Sequence, residues 1–424
     1  MKEIIVERRE GFKKTKLGWI PEDWQVKSIG DFYSFKNGLN KGKEYFGKGT
    51  AIINYKDVYK NQFLTNENIN GLVEVNKSEK ERYSTKRGDV FFTRTSETVE
   101  EIAFAAVLSE DIANGVFSGF VLRARPVNDK NVYPEFAAYC FNTFQSRKEI
   151  IRKSTMTTRA LTNGTFLSQV DIAFPPLPEQ KAIANCLSTW DTAITKLDAL
   201  IKAKQQLKKG LMQQLLSGKK RLPDFDGEWS SWTFEELFKK VSRPVDWDDE
   251  ETYELISVRR RSGGLFHRDS LKGYEILTKK LYTAKKGDFL MSKMQILHGA
   301  SGIVTDEFDN MKISGSYIAV VPKNDGILNM EYMAWYSQTP FFYHQTYRSS
   351  YGVHIEKMTF NYNLFKKEEV LIPSVEEQTA IAQVLNTADQ EIALLTTQRN
   401  LLQLQKKGLM QQLLTGKKRL RTNG

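Results

Sequence analysis

With 424 residues the chain is long enough for two or three domains, each with its own core. Apolar residues make up 40% and charged residues 27%, an ordinary globular balance. The longest apolar runs, such as 102–108, fall far short of the roughly 20 residues that span a bilayer. Lys and Arg total 62 against 51 acids, a net charge of +11, which suits a polyanionic partner because cationic contacts to phosphate release counterions.

In chain order, the opening MKEIIVERREGFKK is charged and has no apolar stretch followed by a small-residue cleavage site, so no signal peptide is read and a cytoplasmic location is expected. Residues 1–16 stand as an N-terminal extension, and 17–177 as a first mixed α/β domain. Short β-rich runs fall at 51–53, 90–93 and 119–123, with a helical stretch at 133–152. GKEYFGK at 42–48 has P-loop spacing, but Gly49 stands where a magnesium-binding hydroxyl is required. Pro175, Pro176 and Pro178, with Glu179 behind them, open a helix. Its apolar residues Ile183, Leu187, Trp190, Ile194, Leu197 and Ile201 alternate steps of four and three, a heptad seam continued by Leu211 and Leu215. Gly218 and a basic cluster stop it. The segment 178–222 therefore holds a helix of about 38 residues, roughly 57 Å long.

A second mixed α/β domain follows at 223–375, with strands at 255–258, 289–292 and 317–321 and a helical stretch at 330–347. Trp24 and Trp229 are expected in the domain cores. The acidic run at 246–251 reads as a solvated face. Ser374, three before Glu377, forms a capping box for a second helix. The closing segment 376–424 holds that helix, with Ile381, Leu385, Ile392, Leu395, Leu409 and Leu413 on its seam.

These two helices are one sequence written twice. KKGLMQQLLSGKKRL at 208–222 returns as KKGLMQQLLTGKKRL at 406–420, and 25 of 45 positions agree between 178–222 and 376–420. An offset of 198 is too long for a solenoid and marks a duplicated domain plus helix. Fainter echoes join the domains: the Gly-Asp pairs at 88–89 and 287–288, and Ser118-Gly119 with Ser314-Gly315. Neither helix can bury its stripe alone, so each is the natural partner of the other. The interface expected is Ile183, Leu187, Ile194, Leu197, Leu211 and Leu215 against Ile381, Leu385, Ile392, Leu395, Leu409 and Leu413.

No Gly-rich cofactor loop, Pro-Pro-aromatic methyltransferase loop, CxxC, HxxxH or nucleophile motif is present. Cys140 and Cys186 suggest neither a disulfide framework nor a zinc site, and no catalytic or metal-ligating residue is assigned. The remaining readings are a DNA-reading scaffold, a coiled-coil assembly scaffold, or an enzyme of unfamiliar site.

PLPEQKAI at 176–183, its second copy VEEQTAI at 375–381, and the KKGLMQQLL tails resemble the conserved helices of Type I restriction–modification specificity (S) subunits. The Gly-Asp turns are similar to the strand entries of their target recognition domains. The resemblance implies two recognition domains joined by two long antiparallel coiled-coil helices in a pseudo-twofold circular arrangement. It further implies a bipartite, asymmetric DNA target with an unread spacer. Partners would be double-stranded DNA, two modification (M) subunits that methylate adenine and restriction (R) subunits, with one copy of this chain per complex. S-adenosylmethionine, ATP and magnesium would sit on those partners, and no cofactor on this chain. A variant system with another effector fits the same resemblance.

Base edges are read by Arg, Lys, Asn, Gln and small hydroxyls. Candidates beside the expected strands are Lys56, Arg94, Thr95, Ser96 and Arg159 in the first domain. In the second they are Arg259, Arg260, Arg261, Lys293, Arg348 and His354.

Overall fold

The structure, a computed structural model, describes residues 10–128, 132–156 and 158–420. It divides into two compact units, Met1–Leu197 with Gln398–Gly424, and Asp198–Thr397. Each unit holds one α/β domain, the beginning of one long helix and the end of the other. The first nine residues of the extension 1–16 lie outside the described residues. Its remainder contributes the strand Phe12–Thr15, which pairs antiparallel with Gly18–Pro21.

In the first unit a five-stranded sheet runs in the order Tyr33–Asn37, Val121–Pro126, Val90–Thr93, Ala105–Leu108, Phe63–Leu64. All four residues of Val90–Thr93 and of Ala105–Leu108 are buried, which is why these strands read as unbroken small or apolar runs rather than alternating ones. The second unit repeats the plan with Phe238–Val241, Tyr317–Pro322, Phe289–Ser292 and Ser301–Ile303.

The Gly-Asp pairs are the turns that feed the central strands. Gly88 and Gly287 take φ of +90° and +86°, a left-handed conformation that glycine adopts at no steric cost. Asp89 closes its turn by accepting from the Lys86 N–H at 2.8 Å, and Asp288 does the same from Lys285 at 2.8 Å. Both carboxylates are buried and need a cation. Arg125 supplies it to Asp89 at 2.7 and 2.6 Å. Arg243 supplies it to Asp288 at 2.6 and 3.0 Å from a different element.

Each late helical stretch, expected as one helix, is two. Pro134–Cys140 and Phe144–Lys153 are separated at Thr143, and Met330–Tyr336 and Pro340–Arg348 at Thr339. Each Thr hydroxyl accepts a backbone N–H of the following turn, from Ser146 at 3.0 Å and Phe342 at 3.3 Å. These N-caps start a new helix instead of continuing the old one.

The long helices are Leu177–Leu215 and Val375–Leu413, 39 residues each, or about 58 Å. Gly218 and Gly416, at φ +69° and +68°, follow their ends. Within the second unit Lys204 pairs with Glu391 at 2.7 Å and Lys208 with Asp389. Advancing along one helix retreats along the other, so they run antiparallel. Lys208 also lies over the Trp335 ring. The first unit repeats the cluster with Lys406, Asp191 and Tyr139.

The helix ends do more than pair. Ile183, Leu187 and Leu413 join the first domain core, with Leu409 packed against it. Leu215, Ile381 and Leu385 join the second, with Leu211 against it. Leu197 and Ile392 are nearly buried, and Ile194 and Leu395 half-buried. Between the ends Leu200, Leu207, Leu394, Leu401 and Leu404 face solvent.

Candidate nucleic-acid interface

The domains are fixed to the helices by the repeated Glu-Gln. Gln180 accepts the Tyr133 N–H at 2.9 Å and donates to the Pro175 carbonyl at 3.0 Å. Gln378 accepts from Asn329 at 2.8 Å and donates to Pro373 at 2.9 Å. Buried Glu179 accepts Arg419 Nε and Nη2 at 2.5 and 2.7 Å and Trp24 Nε1 at 2.9 Å. Arg221 meets Glu377 in the same way, at 2.6 and 2.5 Å. Trp24 is fully buried in the first core. Trp229 departs from the expectation: it is half-buried at the rim, against Gly218 and Arg221, because the exposed linker before it lays it on the helix tail.

On that frame the first-domain candidates converge. Thr95 and Ser96 form a strand that pairs with Ala160–Leu161, the returning strand of a hairpin with Thr155–Met156. Arg159 is exposed at the turn of that hairpin. Lys56 is exposed on the helix Tyr55–Lys60, whose Tyr55 reaches Ser96 with its hydroxyl and is pushed up in pKa by burial. Arg94 is half-buried and its Nη1 donates to the Gly119 carbonyl at 2.9 Å. Lys293 is its counterpart in the second domain, with Nζ on the Gly315 carbonyl at 2.6 Å. Both therefore brace the Ser-Gly turns noticed in the sequence. The backbone repeats the match: the carbonyls of Arg94 and Lys293 accept the N–H groups of Thr162 and Phe360.

In the second domain Arg259 lies over the Phe266 ring at 4.4 Å and donates to the Leu265 carbonyl. The next turn is strained. Arg261 and Ser262 have φ of +57° and +53°, a region that costs a non-glycine residue about 1–2 kcal/mol. They are held there by N–H bonds to the carbonyls of His298, at 2.6 Å, and Gly299, at 3.0 Å. Arg260 and Arg261 border a cavity of about 440 Å³ shared with His298, Gln338, Tyr343 and Glu356. Glu356 stands 3.9 Å from Arg260 and 3.3 Å from His298 Nε2, and His298 gains no hydrogen bond of good geometry from it. His354 is exposed just before Glu356, on the hairpin Ser350–Tyr351 with Thr359–Phe360. Arg348 is not brought to this loop. It pairs with Glu368 and lines a separate cavity with Trp229 and Leu216 beside the helix end.

Sequence reasoning missed His298 and Glu356, which no local motif marks. It also missed Phe120, 66% exposed, whose carbonyl accepts the Arg94 N–H. The acidic run is partly neutralised at the surface, Asp249 by Lys279 and Glu250 by Lys272. Among the described residues no helix is long and apolar enough to cross a membrane.

A common frame carrying two dissimilar loop sets defines a duplicated recognition subunit of mixed α/β architecture. Residues 21–208 and 228–404 match the Type I restriction modification DNA specificity domain family, and the chain belongs to that family. It is similar to a chain designated the MjaX type I restriction enzyme specificity subunit of Methanocaldococcus jannaschii, with 24% identity over 98% of both chains. The MjaVIII specificity subunit of the same organism is 21% identical over 98% of this chain and 97% of its own. Among solved structures, the Type I S subunit from M. genitalium shares the fold with TM-score 0.56 and 15% identity, over 92% of this chain and 96% of that one.

Proposed function

We propose that this chain reads one split, asymmetric DNA target as the specificity subunit of a Type I restriction–modification complex. Each domain reads one half-site and the bases between go unread. The reading directs two M subunits to methylate adenine and R subunits to restrict unmodified DNA. The chain carries no catalytic residue of its own. S-adenosylmethionine, ATP and magnesium belong to the partners, and the complex, with one copy of this chain, works in the cytoplasm.

One observation carries this reading. The frame is duplicated, but the surfaces it presents are not. After the strand Phe46–Ile53 the first domain places a helix with Lys56. After Thr252–Val258 the second places the strained Arg loop. A duplicated structural scaffold has no reason to diverge there, whereas a reader of two unlike half-sites does. The net charge of +11 supports the same partner.

Methylation-sensitive long-read sequencing tests the proposal, comparing a host expressing this chain with its cognate M subunit against a host with M alone. A split adenine-methylated motif present only with this chain is expected. No new motif, with M bound and active, would leave an assembly scaffold or a different effector as the reading.

A further inference from the structure

Both domains carry a β-hairpin at the same place in the frame, directly behind the second of the late helices. The first, Thr155–Met156 with Ala160–Leu161, is tied to the carbonyl of Arg94; the second, Ser350–Tyr351 with Thr359–Phe360, is tied to that of Lys293. Their tips differ. Residues 157–159 close the first beyond its last pair, Met156 with Ala160, and by sequence they are Thr, Thr and Arg. Residues 352–358 close the second beyond Tyr351 with Thr359, and 352–357 are all exposed. Val353 is 93% exposed, with Tyr351 and Ile355 exposed beside it. Single exposed apolar residues are ordinary, but several large ones crowded on one protruding tip mark a contact. Phe120, the exposed aromatic of the first domain, sits next to the Ser-Gly turn and not on the hairpin.

The second tip is built to keep its shape. Gly352 takes φ of +146°, and a Cβ there would lie 2.9 Å from the Met358 Cα, so glycine lets the two arms close. The Lys357 and Met358 N–H groups donate to the His354 and Ile355 carbonyls at 2.8 and 3.3 Å, folding the tip into a turn. Met358 and Phe360, at its base, are buried in the second domain core. An apolar projection on so firm a base displaces what it meets.

The surroundings choose the occupant. His354 and Lys357 share the tip, and Glu356 faces Arg260 and His298 across the cavity that Arg261 borders. A stable protein interface needs about 800 Å² from each partner and a core poor in charge. A short tip set among cations offers neither. DNA suits both parts of it: phosphates meet the cations, and aliphatic side chains inserted between base steps unstack them. Contact with a thymine methyl needs only one small apolar group.

We propose that the loop 352–357 is a wedge. Val353 and Ile355 enter between adjacent base pairs of the half-site read by the second domain and unstack them, while Arg260, Arg261 and Lys357 meet the flanking phosphates. The wedge rests on the proposed reading of a split DNA target, and it makes the ease of opening one base step part of what the second domain reads. The complex of this chain with its cognate M subunit is mixed with duplexes carrying the motif found by methylation sequencing. 2-Aminopurine replaces each base of both half-sites in turn, the methylated adenines excepted. The wild-type complex is expected to brighten the probe several-fold at one step. Val353→Ser with Ile355→Ser extinguishes that signal and keeps the melting temperature, the salt dependence of DNA binding and any brightening in the other half-site. Val353→Leu with Ile355→Leu keeps the signal. A probe dark at every position with the wild-type complex, or equally bright with the serine variant, overturns the wedge. If the probe stays dark and uracil in place of thymine weakens wild-type binding but not that of the serine variant, the loop contacts a methyl edge and the wedge falls. In each of these cases the motif stands, and with it the proposed function. If the wild-type complex yields no motif, both readings fall.

Discussion

Replacing Arg419 by Ala removes both guanidinium contacts from Glu179, whose side chain is 4% exposed, and leaves that carboxylate with Trp24 Nε1 as its remaining side-chain donor. Breaking a fully buried pair in this way costs about 3–5 kcal/mol. Arg419 is itself 42% exposed, so solvent reclaims part of the interaction, and about 2 kcal/mol is expected. For a unit of this size a urea m-value near 3 kcal/mol/M turns that into a midpoint lowered by about 0.7 M. The assay is urea unfolding followed by tryptophan fluorescence, run as a double-mutant cycle with Glu179→Gln. In the Glu179→Gln background Arg419→Ala should cost far less, giving a coupling of about 1–2 kcal/mol. A coupling under about 0.5 kcal/mol would show that the pair only decorates the junction, and the account of how the tail is held would be wrong.

Asp23 supplies a pH test of the same junction. Its hydrogen bond from Arg419 holds its carboxyl below the ordinary value. A depressed folded-state pKa gives stability that is present above the unfolded pKa of about 3.9 and is lost as pH falls through the lower, folded value. Asp23→Asn should therefore destabilise at pH 7, and its difference from wild type in thermal melts should close as pH drops below about 3.9. Alanine at both Arg260 and Arg261 should flatten the salt dependence of DNA binding by about two units of slope if both meet phosphate. If either reads a base, it should also cost about 1–3 kcal/mol for the target alone. Fluorescence anisotropy across a salt series separates these outcomes, and unchanged binding would remove the loop from the interface. Exchanging 17–177 for the matching domain of a relative should change one half-site in the methylation motif and leave the other. Changes in both would mean the domains do not read independently.

The frame was legible because its physics is local. The 198-residue offset, the seam from Ile183 to Leu215, and the glycines that take positive φ at 88, 218, 287 and 416 all announce themselves in residue type and spacing. The broken late helices are half-legible: Pro340, Thr143 and Thr339 stand in the sequence, but the capping bonds that restart each helix show only in the structure. What sequence could not supply were pairings across long separations. Arg94 and Lys293 look like free cations until their glycine carbonyl partners are seen. The left-handed turn falls on Arg261 and Ser262 as well as on Gly264, because the carbonyls of His298 and Gly299 hold the two non-glycine residues there. Glu356 gains meaning only from the cavity it closes.

In the second unit the chain runs unbroken from Gly218 and Arg221 into the domain they support; in the first, Gly416 and Arg419 meet the domain of Trp24 from the opposite terminus. The same joint is thus covalent once and non-covalent once. Where the chain begins is then a matter of gene order, not of architecture. A permuted gene that opens near Asp224 and fuses the old ends should encode the same two units. By the same logic the unit of inheritance is half the gene. Crossing over within the shared KKGLMQQLL stretch trades one domain for another and keeps the Arg-Glu pair of each joint, Arg419 with Glu179 and Arg221 with Glu377.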